Sequence, residues 1–232
     1  MLIGDSFAQV AICGPIVPRP IPIGNEKRAS GHSLCPGDVG GPGFYTLRME
    51  KFHLRIAKTE DVAEIRELIG ASVRGLQAGD YSTAQIEGAL VTVFTIDTQL
   101  IADGTYFVAF AEDGELAGCG GWSFRKTLYG GDHQLEKIAP ERLDPAVDAA
   151  KVRAIFVHPK FARMGLGSLI LEAAESAAAA AGFKRFEMGS TLTGVTLYTL
   201  KGYREVSRVL VPVGGGEQIE VVRMVKEVPG LR

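Results

Sequence analysis

Between Val152 and Ala181 a short apolar strand passes through His158-Pro159 into the loop Ala162-Arg163-Met164-Gly165-Leu166-Gly167-Ser168, which opens an alanine-rich helix. The first amides of a helix have no intrahelical acceptor and sit at the positive end of its dipole, so a loop that exposes them suits a phosphate ester. Gly165 and Gly167 lack side chains, which lets a ligand come against the main chain and makes unusual backbone angles accessible. Arg163 adds a cation at the mouth of the loop. A Gly-x-Gly turn by itself also fits a purely structural role, a tight connection between strand and helix. A dinucleotide fold fits poorly, because its third glycine would fall at Ile170 and the loop comes late in the chain instead of in a first βαβ unit.

The elements around the loop follow from periodicity. Leu166, Leu169, Ile170, Ala173, Ala174 and Ala177 recur at helical spacing, with Ser168, Glu172, Glu175 and Ser176 on the other face. Gly182 marks a left-handed helix stop, and Phe183 to Met188 reads as the next strand. Upstream, Thr59 is the expected cap of a helix whose buried face is Val62, Ile65, Leu68 and Ile69, with Glu60 and Asp61 in its first turn. Ser82-Thr83-Ala84-Gln85 is a capping box for a second helix reaching about Phe94. Asp113-Gly114 joins two strands, Thr105 to Glu112 and Glu115 to Ser123, as a hairpin. A short helix around Tyr198 precedes two last strands, Tyr203 to Val211 and Gln218 to Lys226, joined across Gly214-Gly215-Gly216.

These segments resemble the GCN5-related N-acetyltransferases. Val157-His158-Pro159 and Ala162-Arg163-Met164-Gly165-Leu166-Gly167 are similar to the family's strand and cofactor loop, with Ala162 in place of the usual Gln or Arg. Tyr198-Thr199-Leu200-Lys201-Gly202-Tyr203 resembles its Tyr-x-x-x-Gly-Phe segment, with Thr191 where an Asn is usual and Gly194 where an Ala is usual. The resemblance runs from Phe52 to Lys226. It implies an α/β (α+β) acyl-CoA N-acyltransferase fold, a central mixed and mostly antiparallel sheet of about six to seven strands flanked by about four helices.

It also implies chemistry. Acetyl-CoA is the expected cosubstrate, with no metal. Backbone groups of Ile155, Phe156 and Val157 would bind its arm and polarise the thioester carbonyl, while Arg163, Met164, Gly165, Leu166, Gly167 and Ser168 hold its phosphates. Tyr198 would protonate the departing thiolate. The expected activity is direct acetyl transfer to a primary amine of a small molecule or peptide; the alternative is a non-catalytic acyl-CoA-binding or sensing module. Tyr198 discriminates between the two. No motif fixes a general base: Glu187, His133 and Asp148 are candidates, and a water relay serves equally. The long connection from Phe124 to Ala150, carrying Lys126, Tyr129, Asp132, His133, Glu136 and Glu141, is expected beside the acceptor, with Trp122 as a candidate wall and the acidic residues hinting at a cationic amine.

Composition bounds the rest. The chain has 232 residues, 46% hydrophobic and 22% charged, enough for one core. Its 25 basic and 27 acidic side chains give a net charge of -2, which offers no general attraction to nucleic acid or anionic membrane. No run is long enough to span a bilayer. Cys13, Cys35 and Cys119 form no metal spacing, and His32 with Cys35 supplies too few ligands, so a reducing cytoplasm is the default expectation. Residues 1–48 are Gly- and Pro-rich without periodicity and are expected to be a disordered extension, with Met49 as the natural start or the extension dispensable. The acetyltransferase domain is expected over 49–228 and a tail over 229–232. A homodimer through the last two strands fits the family resemblance, although their pattern does not demand it.

Overall fold

The computed structural model describes residues 48–49, 51–126 and 141–228. The chain runs β1 (Arg48–Met49), β2 (Phe52–Ile56), α1 (Val62–Leu76), α2 (Thr83–Leu90), α3 (Thr98–Ala102), β3 (Tyr106–Ala111) and β4 (Leu116–Ser123). It continues through β5 (Ala150–Val157), α4 (Leu166–Ala180), β6 (Arg185–Thr191), α5 (Val195–Leu200), β7 (Arg204–Pro212) and β8 (Gln218–Glu227). The expected extension, apart from Arg48, lies outside the described residues, as do the tail and Tyr129, Asp132, His133 and Glu136 of the long connection.

Local signals account for most boundaries. The capping box forms at α2: Ser82 Oγ accepts from the Gln85 amide at 3.2 Å, and Gln85 Oε1 accepts from the Ser82 amide at 2.9 Å. That helix ends at Leu90, before Phe94, because the β-branched run Val91-Thr92-Val93 follows. Thr92 Oγ1 donates back to the Gly88 carbonyl at 2.9 Å, and the amides of Thr92, Val93 and Phe94 all converge on the Ala89 carbonyl. At α1 the first-turn carboxylate that reaches back is Asp61, which accepts from the Lys58 amide at 2.7 Å and takes both arms of Arg55 at 2.7 Å. Thr59 instead begins a short 3-10 turn. Gly114 turns the β3–β4 hairpin and Gly182 ends α4, both in the left-handed region, with φ of 84° and 95°.

The eight strands lie in the order β1-β2-β3-β4-β5-β6-β8-β7. Setting aside the two-residue β1 leaves seven, and every neighbouring pair is antiparallel except β5 with β6. One face packs on α4 through Leu166, Leu169, Ile170, Ala173 and Ala174, the stripe expected from spacing. The other face packs on α1, α2 and α3 through residues such as Ile65, Leu68, Ile69, Ile86 and Leu100. Trp122 belongs to the α4-side core, packed edge-on against Phe124 and Phe183.

Strand β5 is irregular where it matters. Gly121 pairs with Arg153 and Cys119 with Phe156, so Ala154 and Ile155 together oppose Gly120 in a β-bulge. Ala154 takes a φ of 54° there. The buried Tyr106 hydroxyl holds the bulge by donating to the Ala154 carbonyl at 2.9 Å. Next to it, Arg153 reaches across to Asp97, just ahead of α3, at 2.8 Å, with side chains 6% and 2% exposed. Removing one partner of a buried pair leaves an uncompensated charge. Asp97→Ala is therefore expected to lower unfolding stability by about 3–5 kcal/mol in chemical denaturation; a loss under about 1 kcal/mol would show that the pair does not hold β5 to α3.

Candidate active site

The β5–β6 pairing is parallel and stops after two residue pairs, Ala150 with Phe186 and Lys151 with Glu187. Beyond them β6 stays on β8 as far as Thr191, while β5 stays on β4. The sheet therefore splits into a V with its vertex at Lys151–Glu187. A slit fills the V, lined on the β5 side by Val152 to Phe156 and on the other by Met188 to Thr191 and Tyr198. Its walls come from both cores. Val152, Met188 and Tyr198 belong to the α4 side, whereas Phe94, Phe156, Val211 and Val221 belong to the α1–α3 side. The opening thus passes through the sheet.

At one end of the V stands the glycine loop. Gly165 caps α4 with φ of 84°, and Arg163 before it has φ of 63°, both left-handed. The first intrahelical bond runs from the Leu169 amide to the Gly165 carbonyl at 3.1 Å, which leaves the amides of Leu166, Gly167 and Ser168 at the helix N-terminus without an intrahelical acceptor. Arg163, Met164 and Gly165 are exposed, and Leu166 is buried, so Leu166 can offer a ligand only its amide. Ala162 has an extended backbone whose amide bonds the Pro159 carbonyl at 3.2 Å, and the free helix amides follow it.

Ile155 and Phe156 line the slit. Val157 does not, and its amide donates to Ser72 Oγ on α1 at 3.3 Å. The bulge at Ala154 and Ile155, which also line the slit, breaks the regular β4 ladder beside the gap. Tyr198, on α5, has a half-buried ring packed edge-on against Tyr203, with centroids 5.9 Å apart. Loss of hydration pushes its phenol up to about 12. Gly194 makes room for it: a Cβ there would stand 2.8 Å from Tyr198 Cε2.

The base candidates fare differently. Glu187 sits at the vertex, bound by Lys151 at 2.6 Å and by Arg223. Burial raises its pKa, but bonds from Arg223 and Lys151 outweigh that and hold the carboxyl below its ordinary value, so it is committed to ion pairs at neutral pH. Asp148 accepts from the Asp144 amide at 2.8 Å and is not part of the slit wall. His133 lies outside the described residues. No Asp or Glu lines the slit among the described residues.

The α1–α3 side of the slit was not legible in the sequence. Gln77, 6% exposed at the end of α1, and Thr95 both line it, and Gln77 Oε1 and Thr95 Oγ1 are buried without partners among the described residues. Buried polar atoms of this kind are costly unless a water or ligand meets them. Tyr81 fixes this wall by donating to the Glu220 carbonyl at 2.7 Å and accepting from the Leu192 amide at 2.9 Å. Only the buried tyrosine after a turn could have signalled it.

The acetyltransferase (GNAT) family model matches residues 72–198, from the last turns of α1 to Tyr198. Among solved structures, a GCN5-related N-acetyltransferase from Rhodopseudomonas palustris is 21% identical, with a TM-score of 0.57 over 78% of this chain and 99% of its own. Ard1 from Thermoplasma volcanium is 14% identical, with a TM-score of 0.52 over 77% of this chain and 99% of its own. The PaiA N-acetyltransferase from Thermoplasma acidophilum, solved with coenzyme A, is 15% identical, with a TM-score of 0.50 over 76% and 98%. At these identities the likeness is one of fold. No curated protein sequence matches the chain. Among the described residues no group of three or more His, Cys, Asp or Glu could hold a metal ion, and no helix is long and apolar enough to cross a membrane.

A side chain at Gly165 would have to take a left-handed conformation, at a cost of about 1–2 kcal/mol. Gly165→Ala should weaken coenzyme A binding about tenfold by titration calorimetry. Unchanged affinity would mean the loop is a turn and not the phosphate grip.

Proposed function

This chain belongs to the acetyltransferase (GNAT) family and is an acyltransferase; from that premise we propose that residues 49–228 transfer an acetyl group from acetyl-CoA directly to a primary amine of a small molecule or peptide. The observation that carries the proposal is the slit between β5 and β6, reaching the α1–α3 face, with Tyr198 on its wall. Two substrates can meet in it from opposite faces without a covalent enzyme intermediate.

The residues suit acetyl-CoA. Left-handed Gly165 and Arg163 and the amides of Leu166, Gly167 and Ser168 would take the pyrophosphate, and the unpaired edge of β5 at Ile155 and Phe156 would run beside the pantetheine arm. When bound, acetyl-CoA supplies a thioester whose carbonyl carbon the amine attacks, the C–N bond forming as the C–S bond breaks. The backbone at the Ala154–Ile155 bulge would donate to the carbonyl oxygen as charge builds there.

With its phenol pushed up to about 12, Tyr198 keeps its proton at neutral pH and would donate a hydrogen bond to the sulfur. Full transfer from such a phenol to a thiolate, with an ordinary pKa of about 8.5, is uphill. Its larger contribution is therefore to stabilise charge on the sulfur, and the proton finally kept there originates on the amine. No carboxylate lines the slit among the described residues, so a water relay would carry that proton away. Exposed Val206, Val209 and Leu210 on edge strand β7 form the surface through which the expected homodimer would close.

The test is thiol release from acetyl-CoA across an amine panel. Tyr198→Phe should lower kcat about 10²-fold while leaving acetyl-CoA affinity nearly unchanged. Gly194→Ala, which crowds the Tyr198 ring, should lower kcat by a smaller factor. Acetyl-CoA binding with no thiol release for any amine, and no effect of either variant on the protein's turnover, would leave only a binding module.

A further inference from the structure

Next to the slit, on the α1–α3 face, lies a second depression that the family resemblance does not explain. Residues 151, 187 and 223 point to this face, since their neighbours Ala150, Val152, Phe186, Met188, Val222 and Met224 are buried against α4. Gly189 and Val221 line both the slit and this trough, so the two are continuous. Arg223 is in register with Gly189 on the neighbouring strand, and the missing side chain of Gly189 leaves the trough open beside the guanidinium.

The trough is cationic. Lys151, Arg223 and Lys126 line it against a single lining carboxylate, Glu187. Glu187 is used twice, by Lys151 at 2.6 Å and by Arg223 through Nε. The two terminal amino groups of Arg223 have no partner among the described residues, and the side chain is 46% exposed. Among the described residues Lys126 pairs with Glu141 at 2.6 Å, with the two side chains 51% and 74% exposed. An exposed pair of that kind is worth about 0–1 kcal/mol and exchanges readily for a better anion. Among the described residues Glu141 and Asp148 act on Lys126 and Glu187 is shared by Lys151 and Arg223, so the group left to receive a further carboxylate is the guanidinium of Arg223. A guanidinium with two free amino groups offers that carboxylate paired donors.

We propose that the acceptor amine carries a carboxylate, held by Arg223 and Lys126 in this trough while the amine reaches the slit past Gly189. The inference rests on the acetyltransferase activity proposed above and names its substrate class. It differs from the expectation of a cationic amine drawn from the acidic residues of the 124–150 connection: of these Glu141 is spent on Lys126, and Asp132 and Glu136 lie outside the described residues.

The experiment compares kcat/KM for matched acceptors with and without a carboxylate. The pairs are 4-aminobutyrate against butylamine, lysine against cadaverine, and a lysine-ended dipeptide with free against amidated C-terminus. The carboxylate form should be favoured about tenfold, through KM. Preference among the first two pairs identifies free amino acids, and preference confined to the dipeptide identifies a chain terminus. Arg223→Gln should erase the preference and Arg223→Lys restore part of it. Lys126→Gln, at an exposed position that folding does not depend on, should reduce it about threefold. Equal rates within all pairs, or a preference that survives in Arg223→Gln, overturn the inference while leaving the acetyltransferase reading intact. Absence of thiol release with every acceptor overturns both.

Discussion

Strands β5 and β6 hold to each other through two residue pairs, and the functional architecture depends on where that pairing stops. Had it continued beyond Lys151, the hydrogen-bonding edge of β5 would be spent on β6 and the sheet would be closed. The separation is enforced from the sides. On one flank β6 pairs with β8 over seven positions, Arg185 to Thr191. On the other, Tyr106 and Asp97 draw the backbone and side chains of Ala154 and Arg153 toward the α1–α3 layer. At the vertex, Glu187 with Lys151 and Arg223 ties the halves together through charge. The slit is thus a consequence of what its two strands are bound to on their far sides.

The electrostatics of the interior follow from the same layering. Loss of hydration raises the phenols of Tyr106, Tyr198 and Tyr203 and pushes the Cys119 thiol up to about 12. These groups are neutral donors at physiological pH. Tyr106 uses its proton to hold the bulge, and Tyr198 keeps its proton at the slit wall. Among the described residues the buried charges are held in pairs, as Arg153–Asp97 and Lys151–Glu187 are.

Much of this was legible in the sequence wherever the determinant was local. The Ser82–Gln85 box, the Asp113-Gly114 hairpin, the α4 stripe, the Gly182 stop and the Gly165 loop each depend on residues within a few positions of one another. The misreadings were competitions between neighbours: Asp61 outcompeted Thr59 for the start of α1 because Arg55 and the Lys58 amide both reach it, and Val91-Thr92-Val93 ended α2 early. The bulge left no signal, because an alanine in left-handed geometry is imposed by its surroundings. Glycine at position 194, a departure from the family pattern by sequence, matches the close approach of the Tyr198 ring. The wall on the α1–α3 side could not be read. Gln77, Thr95 and Arg223 come from three distant segments that only the folded sheet brings to one opening.

An opening that traverses the sheet has a consequence for how such a chain can diverge. On the proposed reading the donor would lie along one continuous stretch, β5 through the start of α4, and the acceptor against Gln77, Thr95, the final strands and Lys126. Substitutions in the second group can retune which molecule is modified without touching the machinery that holds the donor. Selection can therefore act on the two halves of the reaction separately, with the vertex at Lys151 and Glu187 as the part that neither half can change alone.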